Sequence, residues 1–310
     1  NESNLFHIEL ELRNKLHWDR CHAVLGRVQD ENLMISVFQK YRPQVVFHAA
    51  AYKHVPMLAK NPWEAVFNNI IGSRVIMEMA SRYETERFVL VSTDKAVRPT
   101  SVMGASKRVT ELFLHAYRQG TVTRFMAVRF GNVIGSSGSV IPVFRNQIEQ
   151  GGPVTVTHPD VRRYFMTISE AAQLILQAGA MGQGGEVFIL KMGTPVKIVD
   201  MARDLIRLSG REPDTDVKIT FTGLRDGEKL YEELITVGEG IVPTKHEKIM
   251  VLRADSQAVL SASPQEPSLC LDAQLKELYM AADRFDAPAI KKKLRDIVPE
   301  YVSQDTASIL

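Results

Sequence analysis

The sequence predicts an α/β fold in which a doubly wound parallel sheet carries helices on both faces. Short apolar runs, typical of buried strands, alternate along the first half of the chain with longer segments that have helical spacing. Such alternation produces a parallel sheet, because each helix returns the chain to the same end of the sheet. The 310 residues, 45% of them hydrophobic, suffice for one large or two modest domains.

The predicted elements follow in order. The apolar residues Leu5, Ile8, Leu12 and Leu16 recur at helical spacing, so we expect a first amphipathic helix and no strand before it in this chain. Further helices are predicted at residues 31–41, 62–82 and 103–118. Strands are predicted at residues 23–25, 45–47, 88–91 and 126–128.

Three parts are predicted along the chain. Residues 1–150 form the main sheet domain, and residues 151–253, which open on Gly151, Gly152 and Pro153, form a smaller α/β lobe that binds substrate. Residues 254–310 form a polar linker followed by two short helices, which separate near Asp286.

The charge balance argues against several classes of partner. The 38 basic and 36 acidic residues leave a net charge of +2, which offers no overall attraction to nucleic acid or to an anionic membrane. The chain has no run of about 18 apolar residues, so membrane contact is expected only through segments absent from it.

Cys21 and Cys270, far apart in sequence, are expected to be free thiols of a reducing cytoplasm. No ligand spacing predicts a metal site.

The strongest candidate site lies at the end of the predicted strand 88–91. There the sequence Ser-Thr-Asp-Lys (residues 92–95) is followed by Met103 and Lys107, which are four residues apart and share one face of a helix. Ligands in open α/β sheets bind beyond the carboxyl ends of the strands. Because Ser, Thr and Asp also cap helices, the quartet alone is equally compatible with a helix start.

Three further segments are candidates. Residues 48–56 contain three successive alanines, which either let a flat cofactor approach the backbone or pack a strand end tightly. Residues 129–135 place Asn132 between two glycines, close to where a substrate could lie. The arginines at 162–163 and at 225 either bind a diphosphate or form solvated surface charge.

Taken in order, residues 48–56, 92–107, 131–135 and 225–229 resemble the extended short-chain dehydrogenase/reductase family. The resemblance is to its polysaccharide-biosynthesis group of UDP-N-acetylglucosamine 4,6-dehydratases, and it runs from residue 1 to about residue 253. It implies a Rossmann-like fold in which residues 1–150 bind NAD or NADP.

The resemblance also implies catalytic roles. Asp94 would be the general acid and Lys95 the base or its partner, while Lys107 would bind the nicotinamide ribose. Met103 stands where the family usually has a Tyr, and a thioether cannot take a proton. In the 4,6-dehydration that the resemblance implies, the 4-hydroxyl of the sugar must lose a proton, which would therefore leave through water held by Thr93.

Binding roles follow from the same resemblance. Asp30, after a strand ending near Gly26, would contact the adenine, and Ala49, Ala50 and Lys53 would lie along the cofactor. The residues expected to face the UDP-sugar are Ser92, Asn132, Arg225 and Glu228.

Two departures from the family pattern shape the expectations. The Gly-rich turn that binds pyrophosphate is missing and expected upstream of Asn1, so the chain alone should bind dinucleotide poorly. The acidic residue that distinguishes NAD from NADP is expected in the same missing stretch. The cofactor is therefore NAD or NADP, and we prefer NAD. Met103 is typical of the long, membrane-anchored subgroup. We therefore expect a cytoplasmic face location, with the full-length protein anchored in the bacterial inner membrane.

The implied function is conversion of UDP-N-acetylglucosamine to a UDP-4-keto-6-deoxy-N-acetylhexosamine for surface polysaccharide. Two alternatives stay open: a nucleotide-sugar 4-epimerase, and a non-catalytic protein that binds nucleotide sugars. A homo-oligomer, a dimer or larger, is expected to pair through a helical bundle containing residues 62–82 and 103–118.

Overall fold

The computed structural model describes residues 1–117, 120–235, 240–252 and 267–302. The strands are β1 (Val45–His48), β2 (Arg87–Val91), β3 (Arg124–Arg129), β4 (Asn132–Val133), β5 (Val154–Val156), β6 (Arg162–Arg163), β7 (Phe165–Met166), β8 (Val187–Leu190), β9 (Val196–Lys197), β10 (Ile219–Phe221), β11 (Ile241–Pro243) and β12 (Ile249–Leu252).

The helices are α1 (Glu2–Leu10), α2 (Glu31–Tyr41), α3 (Val55–Lys60), α4 (Pro62–Glu64), α5 (Gly72–Arg82), α6 (Val102–Ala116), α7 (Val140–Glu149), α8 (Ile168–Met181), α9 (Ile198–Leu208), α10 (Pro267–Asp283) and α11 (Ala287–Ile297). Wider π-helical turns continue α1 over Glu11–Lys15 and join α4 to α5 over Ala65–Ile71, and a 3-10 turn spans Asp94–Ala96.

The main sheet has six strands in the order β1-β2-β3-β8-β12-β11. The first four are parallel, while β12 and β11 are antiparallel to their neighbours. Alternate residues of a strand face opposite sides of a sheet, and both sides of β2 are buried. Phe88 and Leu90 pack under α5 and α6, whereas Val89 packs under α8. The prediction of a doubly wound α/β fold is confirmed.

A second core lies outside the main sheet. It is formed around α7, α9, β5 and β10, with Phe144, Val154 and Ile206 buried at its centre. We call this region the second lobe, and the main sheet with the helices that cover it the first lobe. The chain crosses between the two cores more than once, because β8, β11 and β12 return to the main sheet after the lobe has begun. The division at residues 150 and 253 stays a prediction.

One predicted strand is absent. Residues 23–25 have no partner strand and are exposed, so the prediction of a strand there is wrong. An extended segment becomes a strand only when a neighbour accepts its backbone hydrogen bonds, and within the described residues the main sheet ends at β1. The remaining predicted helices and strands form, with α2 at the predicted bounds. The predicted linker lies almost wholly outside the described residues.

No helix within the described ranges is both long and apolar enough to cross a bilayer.

Candidate active site

The carboxyl ends of β1, β2 and β3 open into a cleft of about 440 Å³. Its walls are residues that follow these three strands, together with α6 and a second-lobe segment at residues 225–232. The segments predicted from the sequence therefore meet at one place, because parallel strands end at the same edge of a sheet.

The residues after β2 are fixed by backbone hydrogen bonds to the end of β3. Ser92 N donates to Val128 O at 2.8 Å, and Asp94 N donates to Phe130 O at 3.0 Å. Thr93 Oγ1 caps the 3-10 turn by accepting from Lys95 N, and it also donates to Asp94 Oδ1 at 2.8 Å. Residues 92–95 therefore begin a helical turn and also lie at the candidate site, so the two interpretations of this sequence are compatible.

Lys95 lies between two carboxylates. Its Nζ is 3.0 Å from Asp94 Oδ1 and 3.3 Å from Glu232 Oε1, and it reaches Asn132 Oδ1 at 3.4 Å. Burial alone would lower the pKa of Lys95, but the attraction of Asp94 and Glu232 outweighs it and holds this pKa above its usual value. Lys95 is therefore an ammonium before substrate binds.

Asp94 lies directly behind the cleft wall. Its side chain is 1% exposed, and among the described residues its Oδ2 has no hydrogen-bond partner. A Cβ added to Gly131 would come within 3.0 Å of this oxygen, so the glycine leaves the carboxylate its space.

Met103 and Lys107 lie on the face of α6 that lines the cleft, as predicted. Both are buried, at 3% and 5% exposure. Burial lowers the pKa of Lys107 to about 8, although Glu111 partly opposes the shift. His48 is a packed histidine that hydrogen-bonds Ser73 Oγ at 2.9 Å, and burial and the charge of Lys107 lower its pKa to about 3.

The predicted cofactor residues are only partly brought together. Ala49 and Lys53 line the cleft, while Ala50 is exposed and does not. Asp30 is outside the cleft lining, and its Oδ1 caps α2 by accepting from Leu33 N at 3.0 Å. The strand that was expected to position Asp30 is not formed, so its contact with an adenine stays a prediction without support here.

The loop after β1 is held by a residue that sequence reasoning missed. Asn69 is fully buried, and its side chain bonds both N and O of Tyr52 at 2.8 and 3.0 Å. It also donates to Ser106 Oγ of α6 at 3.0 Å. The pair Asn68-Asn69 within an apolar helical segment was the signal, since a buried amide needs partners.

The predicted substrate residues differ in what they can contact. Asn132, Arg225 and Glu228 line the cleft. Ser92 does so only marginally, because it is 4% exposed and its hydroxyl donates to Glu111 Oε1 at 2.7 Å inside the core. Its contact with a sugar stays a prediction that this hydrogen bond does not favour.

Glu232 and Arg163 also line the cleft. Arg163 belongs to the arginine pair that was a candidate for binding a diphosphate, whereas Glu232 was not a predicted site residue. Arg163 donates to Glu228 Oε1 at 3.0 Å. Nothing in the string Glu-Glu at 232–233 tells which carboxylate turns inward. Within the described part of the chain, no group of His, Cys, Asp and Glu could hold a metal ion.

Comparison with known families matches residues 1–254 to the family described as polysaccharide biosynthesis protein. The chain belongs to this family. Capsular polysaccharide biosynthesis protein CapD of Staphylococcus aureus is 52% identical over 251 residues, which cover 80% of the chain and 42% of CapD. The probable polysaccharide biosynthesis protein EpsC of Bacillus subtilis is 56% identical over 218 residues, covering 70% of the chain and 36% of EpsC. The chain thus spans less than half the length of these two family members.

Solved structures with a similar fold are also found. Pen from Bacillus thuringiensis is 34% identical with a TM-score of 0.73, covering 81% of the chain and 78% of Pen. The resemblance to the extended short-chain dehydrogenase/reductase family is confirmed. A dTDP-glucose 4,6-dehydratase from Streptomyces venezuelae, solved with NAD, matches at 21% identity and a TM-score of 0.65 over 77% of the chain and 76% of its own, which shows the fold alone. A UDP-glucose 4-epimerase of Rickettsia canadensis is 39% identical over 62% of the chain and 55% of its own length.

Proposed function

We propose that the chain carries the catalytic site of a nucleotide-sugar 4,6-dehydratase acting on UDP-N-acetylglucosamine, in the synthesis of a bacterial surface polysaccharide. The observation that carries the proposal is the 3.0 Å contact between Lys95 Nζ and Asp94 Oδ1 at the wall of the cleft. Dehydration needs a base for carbon 5 and an acid for the hydroxyl on carbon 6. These two groups lie side by side here.

The proposal includes a nicotinamide cofactor, NAD in preference to NADP, which would accept hydride from carbon 4 and return it to carbon 6. Two features of the cleft fit it. Ala49 and Ala51 leave room beside the end of β1. Lys107 lines the cleft, and no described residue takes a hydrogen bond from its Nζ, so the amine is available to ribose hydroxyls. Lys53 and Lys107 would hold the cofactor.

The ion pair between Asp94 and Lys95 can reach the states that the elimination requires. A single proton transfer along the 3.0 Å contact turns it into a neutral carboxylic acid and a neutral amine. Substrate that fills the cleft removes water, which disfavours the charged forms of both groups.

The proton balance then closes around this pair. Lys95 takes the proton from carbon 5, and Asp94 gives its proton to the hydroxyl that leaves carbon 6 as water. Lys95 returns its proton to carbon 5 when hydride reaches carbon 6. The proton of the 4-hydroxyl leaves earlier, when carbon 4 loses hydride, into water held by Thr93, whose hydroxyl donates to Asp94 at 2.8 Å. After the elimination this water returns a proton to Asp94 and restores the acid. Met103 takes no part in proton transfer.

An epimerase is the second candidate, because a UDP-glucose 4-epimerase is among the relatives. Epimerisation exchanges hydride at carbon 4 alone and needs neither a carbon 5 base nor a carbon 6 acid. The adjacent Asp94 and Lys95 therefore favour dehydration.

The test is mass spectrometry of UDP-N-acetylglucosamine after incubation with the full-length protein. We expect the loss of one water from the substrate, no need for an added reductant, and no loss with Asp94→Asn. A new hexosamine of unchanged mass would identify an epimerase, and unaltered substrate a binding protein. Undiminished turnover by Asp94→Asn would remove Asp94 from the mechanism.

A further inference from the structure

Glu232 is a buried carboxylate of the cleft for which the proposed reaction has no role. Its side chain is 4% exposed, and Oε1 lies 3.3 Å from Lys95 Nζ. Oε2 is buried and has no hydrogen-bond partner in the described part of the chain. Glu232 lines the cleft itself, whereas Asp94 lies behind its wall.

The backbone around Glu232 explains why this carboxylate, and not its neighbour, faces inward. Tyr231 pairs with Arg162 as an isolated bridge, and Arg162 N donates to Leu230 O at 3.0 Å, so the backbone here is extended. Successive side chains of an extended segment point to opposite sides. Tyr231 is accordingly 54% exposed, and Glu233 forms an ion pair with Arg98 outside the cleft.

The turn before this segment fixes it against the first lobe. Gly227 has a φ of +76°, and a Cβ there would lie 2.8 Å from Ser101 Cβ, so only glycine allows this approach. Thr100 Oγ1 donates to Gly227 O at 2.8 Å, and Lys229 Nζ donates to Val97 O at 3.0 Å. The segment at residues 227–232 is therefore anchored by these contacts and places Glu232 beside Lys95.

Three oxygen atoms surround the Lys95 ammonium: two accept a hydrogen bond from it, and the third, from Glu232, forms an ion pair with it. These are Asp94 Oδ1 at 3.0 Å, Glu232 Oε1 at 3.3 Å and Asn132 Oδ1 at 3.4 Å. Among charged side chains facing Lys95, Asp94 and Glu232 attract it and Arg163 repels it. Arg163 in turn lies 3.8 Å from Glu232 and moderates its negative charge.

We infer that Glu232 is a positioning residue of the reaction: together with Asp94 and Asn132 it fixes the Lys95 amine in the cleft. The inference rests on the proposed function for its catalytic meaning. The contact itself can be measured without turnover. Loss of the Glu232 charge removes this ion pair and makes the Lys95 amine easier to deprotonate.

The experiment measures the reactivity of Lys95 in the folded protein without substrate. Acetic anhydride labels only neutral amines, and mass spectrometry of the peptide that contains Lys95 gives the labelled fraction at each pH. In Glu232→Gln we expect the labelling midpoint to fall by about one pH unit or more, since a facing charge shifts a pKa by roughly one to three units. Glu232→Asp, which keeps the charge, should return the labelling midpoint of Lys95 most of the way to its wild-type value.

Two controls define the outcome. Glu233→Gln removes the neighbouring carboxylate, which faces Arg98, and should leave the Lys95 midpoint unchanged. In the wild-type protein Lys95 should label at a higher pH than the exposed Lys292. Equal midpoints for Lys95 in wild type and Glu232→Gln would overturn the inference, and so would a wild-type Lys95 that labels like Lys292, even if the variant does not fold.

Turnover separates this inference from the proposed function. With UDP-N-acetylglucosamine, Glu232→Gln should lower kcat by about tenfold or more, because the amine is misplaced, with a smaller change in KM and an acid limb shifted to lower pH. A labelling shift in a protein that dehydrates nothing would leave the Lys95 contact standing and contradict only the proposed function. Dehydration with unchanged labelling would do the reverse.

Discussion

Glu111 on α6 is the residue that ties the wall of the cleft to the core. Its carboxylate accepts two hydrogen bonds from Arg129 at 2.8 Å, one from Arg108 at 2.9 Å and one from Ser92 at 2.7 Å. Burial alone would raise the pKa of Glu111, but Arg129 and Arg108 outweigh it and lower this pKa to about 2. The end of β2, where Thr93 and Asp94 follow, is thereby fixed from behind.

Replacement of Glu111 should destabilise the protein strongly. Glu111→Gln leaves the buried Arg129 without its carboxylate, and breaking a buried ion pair costs about 3–5 kcal/mol. Denaturant unfolding would measure this loss. The exposed Glu149→Gln is the control and should change the free energy of unfolding by less than about 0.5 kcal/mol. A small effect of Glu111→Gln would show that the network carries little stability.

The same residue predicts how stability depends on pH. Because folding lowers the pKa of Glu111 to about 2 from its ordinary 4.5, its contribution is complete above about pH 4.5 and lost as the pH falls toward 2. The difference in unfolding free energy between wild type and Glu111→Gln should shrink over this range.

Among the elements, α11 gives the C-terminal part of the chain its place. It packs on α10, α4 and α6, with Ile290 and Leu294 fully buried. Arg108 of α6 donates to Glu300 at 2.8 Å, and Val302 N donates to Pro99 O at 3.1 Å. The bundle expected to form an oligomer interface is therefore covered in part by the chain itself, and the homo-oligomer stays a prediction.

Truncation of a buried side chain in α11 should show how much this packing contributes. Leu294→Ala removes a side chain of 0% exposure, and such changes cost about 2–5 kcal/mol. Thermal unfolding of Leu294→Ala, compared with the exposed control Lys292→Ala, measures the effect. Equal stabilities of the two variants would mean that α11 does not belong to the cooperative core.

Elements with strong local signals could be predicted from the sequence. The bounds of α2 follow from the Asp30 cap and the apolar spacing that buries Met34 and Phe38. The strand expected at 23–25 had the same kind of apolar run as β1, but a run of residues does not specify a partner. The covering of α6 by α11 was not predictable either, since it joins residues 192 positions apart, such as Arg108 and Glu300.

At the scale of the whole molecule, the site is made where two lobes meet. The first lobe supplies Asp94 and Lys95, which follow β2, and Lys107 from α6. These residues could be predicted, because ligands bind beyond the carboxyl ends of parallel strands and the family motif at residues 92–107 lies at such an end. The second lobe supplies Glu232, which could not be predicted because its direction depends on the Gly227 turn packing against Ser101. The proposed reaction needs the Lys95 amine in two protonation states, and carboxylates from both lobes face this amine.

In the proposed mechanism Lys95 removes and returns the proton of sugar carbon 5 while Asp94 protonates the leaving hydroxyl, and reaction in D₂O tests this mechanism most directly. The full-length protein should convert UDP-N-acetylglucosamine to a product that has lost one water and gained one carbon-bound deuterium, located at carbon 5 by NMR. A product that has lost water without deuterium at carbon 5, or a hexosamine of unchanged mass without deuterium, would contradict the assignment of Asp94 and Lys95.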